Sequence, residues 1–263
     1  MNTLVFFSLC WALLMAACPS ANADMPVAAH HVVVLVYHRF APTMDSSMTV
    51  RMQTFEAHLR MIEAAGYRIV PLADVVMWHE GEHDALPAKA VAITVDDGHR
   101  SVYYTLWPAL RGRGIPVTLF VYPSAISNAT YAMTWAQLRE LASTGQFDVQ
   151  SHTYWHPNFR VERAHRSADD FALFARDQLR RAKARIETEI GAPVHLLAWP
   201  FGIHDPQLEH IAREEGYTAG FTLDAQPVRS SQPAMTLPRY LITDSCSARC
   251  MTDILQAAEV NHE

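Results

Sequence analysis

The stretch "KAVAITVDDGHRSVYYTLWPALRGRGIPVTLFVY", Lys89 to Tyr122, decides the fold class. It opens with a continuous apolar, β-branched run of the length and character of a strand buried on both faces. The segment from Arg100 reads as a helix that stops at Gly112 or Gly114. A second buried run, Pro116 to Tyr122, follows at once. Strand, helix and strand joined by short turns is the signature of a crossover between parallel strands. Asp96 and Asp97 stand side by side where the first run ends, and Gly98 follows them. Adjacent carboxylates repel, and a strand sends neighbouring side chains to opposite faces, so the pair needs a reason.

The same alternation extends both ways. Toward the N-terminus, "HHVVVLVYH" (His30 to His38) reads as a buried strand. "TFEAHLRMIEAAGY" reads as a helix, with Phe55, Leu59 and Ile62 at helical spacing and Thr54 as its candidate cap. "RIVPLADVVMWHEG" reads as a short strand and a short helix. Toward the C-terminus, Thr134 and Gln137 form a capping box for a helix that ends at Gly145. "FDVQS" is a strand, Ser167 to Gly191 one long helix, and "VHLLAW" another strand. A helix in "DPQLEHIAREEG", a strand in "YTAGFTL" and a helix in "SARCMTDILQAAEV" complete the series. The unit repeats about six times, which predicts a parallel sheet, either open and doubly wound or closed into a barrel. No G-x-G-x-x-G or Walker loop follows any strand, which removes the usual nucleotide-binding reason for an open sheet.

A chain of 263 residues holds one domain of barrel size as readily as two small ones, and no linker divides it. The net charge is −6, without a Lys/Arg run or a basic helix, so the footprint of a nucleic-acid binder is missing. The first residues form an apolar run, Leu4 to Ala17, too short for a comfortable membrane span. "PSANA" after it fits cleavage behind Ala23, which predicts a signal peptide over 1–23, a mature domain over 24–263, and a periplasmic or secreted product. Lipidation of Cys18 is the alternative. Of the cysteines, only Cys246 and Cys250 lie in the mature chain. Export permits a disulfide between them, with two reduced thiols as the alternative if the segment is regular helix.

The chemistry-bearing residues lie just past predicted strand ends, the face that carries the active site of a β/α barrel. His38 closes the first strand, Asp96 and Asp97 the central one, His152 the "FDVQ" strand, and Pro200 and Phe201 follow "LLAW". In "SHTYWHP", His152 and His156 are four apart, a spacing that on one helical turn lets two imidazoles share a metal. Pro157 keeps that turn short. Two imidazoles and one carboxylate of the Asp pair make a ligand set with open positions, which is a catalytic rather than a structural arrangement. The fourteen histidines, against 21 Lys plus Arg, point the same way. A bound cation also removes the repulsion within the Asp pair. The plain alternatives are an Asx turn at Asp97-Gly98 and histidines that cap a strand end.

"TVDDG", "SHTYWHP" and "AWPFG" together resemble the polysaccharide deacetylases with a NodB-type domain, carbohydrate esterase family 4. The resemblance extends over nearly the whole mature chain. It implies a distorted (β/α)7 barrel in a single α/β domain and the removal of N-acetyl groups from an amino-sugar polysaccharide. It also implies a divalent metal, zinc first with cobalt, nickel or manganese as alternatives, on Asp97, His152 and His156, and Asp96 as general base. Two features depart from the family pattern. The arginine that often opens the third motif is missing near Leu197 and Ala198, and Arg239 in "LPRY" resembles the substitute used by a subgroup. The late Leu-x-His is missing as well. "LVYHRF" instead resembles the first strand of exported deacetylases acting on poly-β-1,6-N-acetylglucosamine, which assigns the general acid to His38. Tyr37, Trp155, Trp199, Pro200 and Phe201 are the candidates for contact with sugar rings, with packing inside the barrel as the alternative. A catalytically silent glycan-binding domain and an esterase acting on O-acetylated glycans such as xylan are the competing functions. A two-carboxylate glycosidase is disfavoured, because its carboxylates must face each other across a cleft.

Overall fold

The computed structural model describes residues 31–44, 46–82 and 86–259. The predicted leader, with Cys18, lies outside the described residues. Strand β1 (Val33–Tyr37) is followed by a small parallel ribbon, β2 (Arg39–Ala41) with β3 (Thr49–Arg51), and by helix α1 (Met52–Ala64). Strand β4 (Arg68–Ile69), helix α2 (Leu72–His79) and the central strand β5 (Ala90–Asp96) come next. A π-helical turn, Val102–Leu106, runs into α3 (Trp107–Leu110), and β6 (Val117–Val121) returns to the sheet. Pro108 has no N–H to give to the carbonyl of Tyr104, and the turn before it is the widened one. Then come α4 (Trp135–Ser143), β7 (Phe147–Ser151), α5 (Phe159–Ala164) and α6 (Ala168–Ile190). The chain ends with β8 (Leu196–Ala198), α7 (Pro206–Glu214), β9 (Ala219–Phe221), β10 (Tyr240–Leu241) and α8 (Ala248–Ala257).

The sheet order is β10-β1-β5-β6-β7-β8-β9, every neighbouring pair is parallel, and β4 adds to the foot of β5. Of the two candidate architectures, the curled one is therefore the fold, with helices around it. The ends of the sheet meet through a single bridge between Phe221 and Leu237, just before β10. Period-two alternation sorts β5 cleanly. Ala90 and Ala92 face the interior of the curl with Val34, Phe120, Ala198 and Phe221, whereas Val91, Ile93 and Val95 face the layer of α1 and the other outer helices. Helix α2 closes the interior from one end with Leu72, Val75, Val76 and Trp78.

Local signals explain most element ends. Thr134 and Gln137 do form a reciprocal capping box, Ser167 caps α6, and Gly191 ends it in the left-handed conformation. Helix α1 begins earlier than its sequence suggests: Arg51 occupies the N-cap without a side-chain bond, so Thr54 lies inside the helix rather than at its cap. The stretch between Tyr154 and Ser167 holds α5, whose cap is Asn158. Cys246 and Cys250 are joined in a disulfide. The helix starts after Cys246, with Ser247 as its cap, so the bridge staples the approach to the first turn rather than lying within regular helix.

Candidate active site

Strand β5 continues its alternation through Asp96, which points inward and is only 2% exposed. The next two residues break the pattern. Asp97 has φ +74° and Gly98 φ +68°. Aspartate tolerates this left-handed region better than most residues. At Gly98 the left-handed φ favours glycine, and a Cβ would also crowd Cδ1 of Ile126 at 2.8 Å and Cγ1 of Val121 at 3.2 Å. The turn brings the Asp97 carboxylate into the same space as that of Asp96.

His152 and His156 arrive from the end of β7. They do not lie on a helical turn. Thr153 (φ +64°) and His156 (φ +62°) are both left-handed, and the loop is tied by a bond from the His156 N–H to Thr153 Oγ1 at 3.2 Å. Gln178 of α6 accepts the Trp155 N–H at 3.2 Å. The imidazoles nevertheless meet, with ring centroids 4.5 Å apart. His152 Nδ1 lies 2.7 Å from the Ala198 carbonyl, which can only accept. Nδ1 therefore carries the proton and Nε2 presents its lone pair. That Nε2 is 3.8 Å from Asp97 Oδ1, and His156 Nε2 is 3.9 Å from the same oxygen. Donor atoms of Asp97, His152 and His156 all fall within 4.8 Å of one another. Tetrahedral ligands at about 2.1 Å from zinc sit about 3.4 Å apart, close to these separations. Burial first, and then His152, hold the His156 pKa down at about 4, which keeps its lone pair available near neutrality. The donor set fits a divalent cation.

Arg239 enters from the segment that joins β9 to β10. It is fully buried and grips Asp96 with both ends of its fork, Nη1 to Oδ1 and Nη2 to Oδ2, each at 2.8 Å. Two further donors go to Thr94 Oγ1 (3.1 Å) and the Thr222 carbonyl (3.2 Å). Burial works to raise the Asp96 pKa. Arg239, His152 and His38 outweigh it, and the carboxyl sits at about 2. Thr94 is a contributor that went unnoticed in the sequence. It lies two residues before Asp96 on the same strand, so the period of two already placed it on the same face.

These groups line a cavity of about 160 Å³. The titratable residues lining it are His38, Asp96, Asp97, His152 and His156. His38 Nδ1 is buried and, among the described residues, has no hydrogen-bond partner. Burial lowers the His38 pKa, against the pull of Asp96 and Asp97. Met48, Trp199 and Phe201 form much of the apolar wall.

The expected sugar contacts divide. Phe201 is 56% exposed and meets His156 edge-on at 4.6 Å, and Trp155 is 41% exposed. Phe201 is also held at φ +57°, so Asp97, Thr153, His156 and Phe201 all combine positive φ with a place at or beside the site. Tyr37 is corrected. It faces the outer layer with Val33 and Leu35, has no exposed surface, and meets His58 Nδ1 through its hydroxyl at 3.1 Å. Trp199 and Pro200 are buried, and Trp199 forms part of the cavity wall. The Trp199 indole is fixed by its bond to the Met235 carbonyl at 2.8 Å. His99 accepts the Ser101 N–H at 3.2 Å and stacks on Tyr131, outside the gathered ligand atoms.

A family model described as polysaccharide deacetylase matches residues 83–220. A poly-β-1,6-N-acetyl-D-glucosamine N-deacetylase of Escherichia coli (strain K12) is 26% identical over 240 residues, which is 77% of this chain but 35% of that protein. The protein of the same name from Staphylococcus epidermidis is 22% identical over 198 residues, 73% of this chain and 67% of the relative. The solved structure of IcaB from Ammonifex degensii superposes with a TM-score of 0.75 at 26% identity, covering 89% of this chain and 99% of that one. The chain thus spans about a third of the length of its Escherichia coli relative.

Proposed function

The chain belongs to the polysaccharide deacetylase family, and from that premise we propose that it is an exported, metal-dependent hydrolase that removes N-acetyl groups from a β-1,6-linked N-acetylglucosamine polymer. The observation that carries the reading is the meeting of three ligand-type groups with a second, buried carboxylate gripped by Arg239. The choice of polymer follows the names of the Escherichia coli and Staphylococcus epidermidis relatives. The domain is taken as 24–263 behind a leader cleaved after Ala23, or lipidated at Cys18, and the product as periplasmic or secreted. A disulfide at Cys246–Cys250 suits an oxidising compartment. No helix among the described residues is long and apolar enough to cross a membrane.

A divalent cation on Asp97, His152 and His156, zinc in first place and cobalt, nickel or manganese otherwise, supplies Lewis acidity toward water and the acetyl carbonyl when bound. Asp96 accepts the proton of the attacking water. Arg239 keeps that carboxylate ionised and fixes its plane. The attack makes the carbonyl oxygen an oxyanion, for which the loop after β7 offers a donor. Its His152 N–H goes to the Val121 carbonyl and its Thr153 N–H to Ser151 Oγ, which leaves the Tyr154 N–H uncommitted among the described residues. His38 delivers a proton to the sugar nitrogen as the C–N bond breaks, giving acetate and a free amine. Burial makes its imidazolium a stronger acid than usual, which favours that transfer. No further titratable group lines the cavity to take the role.

The test is product analysis on acetylated β-1,6-glucosamine polymer. Acetate should appear without new reducing ends, stop on chelation, and return with added zinc. Reducing ends without acetate, or release indifferent to exhaustive chelation, would overturn the reading.

A further inference from the structure

An unbroken line of rings passes through the site and out of it. Phe201 touches His156 at 4.6 Å, and His156 touches Tyr122 at 5.4 Å between centroids. Tyr122 and Tyr131 meet hydroxyl to hydroxyl at 2.6 Å. Tyr131 then lies nearly parallel to His99, with ring centroids 6.3 Å apart and 10° between the planes. The metal-type cluster sits toward one end of this line, and Tyr131 and His99 make up the other.

Tyr131 is 38% exposed, yet it is restrained from several sides. Tyr122 tethers its hydroxyl, and His99 runs nearly parallel beside its ring. Its carbonyl accepts the Arg100 N–H at 2.8 Å. His99 is itself held by Ser101 and by an antiparallel bridge to Ala132, the residue after Tyr131. The turn that delivers Asp96 and Asp97 therefore also delivers the ring beside Tyr131. An exposed aromatic side chain held this firmly gives up little freedom when something stacks on its open face. A β-linked glucosamine ring has a flat face of C–H groups, which suits an aromatic face, and a rim of hydroxyls, which suits the phenol.

We propose that Tyr131, flanked by His99 and tethered by Tyr122, is a second sugar-binding subsite that takes the residue next to the one being deacetylated. Phe201 stands on the far side of His156, so the polymer crosses the cluster between two aromatic contacts. The subsite rests on the functional reading above, because a neighbouring sugar exists only in a polymeric substrate. It makes the enzyme prefer chains over single N-acetylglucosamine units.

The experiment compares kcat/KM on acetylated β-1,6-glucosamine oligomers from one to five residues. The quantity read is the ratio of pentamer to monomer. In the wild type this ratio should exceed unity. Tyr131→Ala should lower it roughly two- to tenfold, chiefly through KM, while Tyr131→Trp keeps it. If Tyr131→Ala fails to fold, Tyr131→Leu, which keeps apolar bulk without a flat face, carries the test. A ratio unchanged in Ala and Leu overturns the subsite and leaves the deacetylase reading intact. If the wild type releases no acetate at all, that reading fails, and calorimetric titration with the fully deacetylated pentamer tests the subsite alone. Equal binding by wild type and Tyr131→Ala would then overturn it.

Discussion

On burial alone, the Asp96 carboxyl would hold its proton well above the usual carboxylate range. The Arg239 fork, with help from His152 and His38, reverses that and brings it to about 2, against 3.8 for an ordinary aspartate. Because the folded value lies below the unfolded one, the ionised group adds stability that is fully present above about pH 3.8. That stability is lost as the pH falls through about 2. The difference is worth about 2 kcal/mol. Metal-free Asp96→Asn should therefore lose about 2 kcal/mol less stability than the wild type between pH 5 and pH 2, measured by urea unfolding. Parallel losses would mean that Asp96 is not the depressed carboxyl. The same variant should keep its metal by elemental analysis while turnover falls roughly 10²- to 10⁴-fold. The gathering of Asp97, His152 and His156 was legible from short motifs at strand ends. Arg239 was legible only through family resemblance, since its partner lies 143 residues away. Tyr37 was misread for a simple reason: it shares the parity of Val33 and Leu35, and that parity faces the outer layer.

Elements were legible where a local signal marks their ends. The Thr134–Gln137 box, the Ser167 cap and the Gly191 stop are all within a few residues of what they control. The three-residue strands of the β2–β3 ribbon carry no such signal, and their pairing is set by distant packing. The His152–His156 spacing illustrates a different limit. Spacing alone suggested a helical turn, but the rings converge through left-handed residues at Thr153 and His156 and through Gln178. Near the C-terminus, the Cys246–Cys250 disulfide closes a short loop before α8, and the Cys246 carbonyl accepts from His58 Nε2 at 2.8 Å. For so short a loop the chain-entropy model gives a contribution of about 2 kcal/mol. The paired Cys246→Ser, Cys250→Ser variant should lose about that much in chemical unfolding, with deacetylation at saturating substrate near normal at 25 °C. A loss of turnover without a loss of stability would instead show that the loop positions the site.

At the scale of the whole molecule, the ends of the sheet are held by one short stretch. Leu237 bridges Phe221, with the Thr222 N–H on the Leu237 carbonyl and the Leu237 N–H on the Gly220 carbonyl, both at 2.8 Å. Tyr240 and Leu241 then pair with Leu35 and Val36. Arg239 lies between these anchors, so the stretch that closes the curl also carries the fork that grips Asp96. Runs of apolar strands announced a parallel sheet, but nothing in them said where its ends would meet. That depends on Gly220. A Cβ there would lie 2.5 Å from the Met235 carbonyl and 2.7 Å from the Trp199 indole nitrogen, which are bonded to each other. Gly220→Ala must push that pair and the Leu237 backbone outward, away from β9. The expected cost is about 1–3 kcal/mol of stability, as for other over-packed cores. Arg239 moves with the stretch, so the Asp96 carboxyl should rise from its depressed value. The variant, still folded at 25 °C and assayed with the same added metal as the wild type, should show the acidic limb of its pH–rate profile at higher pH. If stability falls but the limb stays in place, closure and base ionisation are separate. If neither changes, the contact at Gly220 relaxes without cost and the closure does not depend on it.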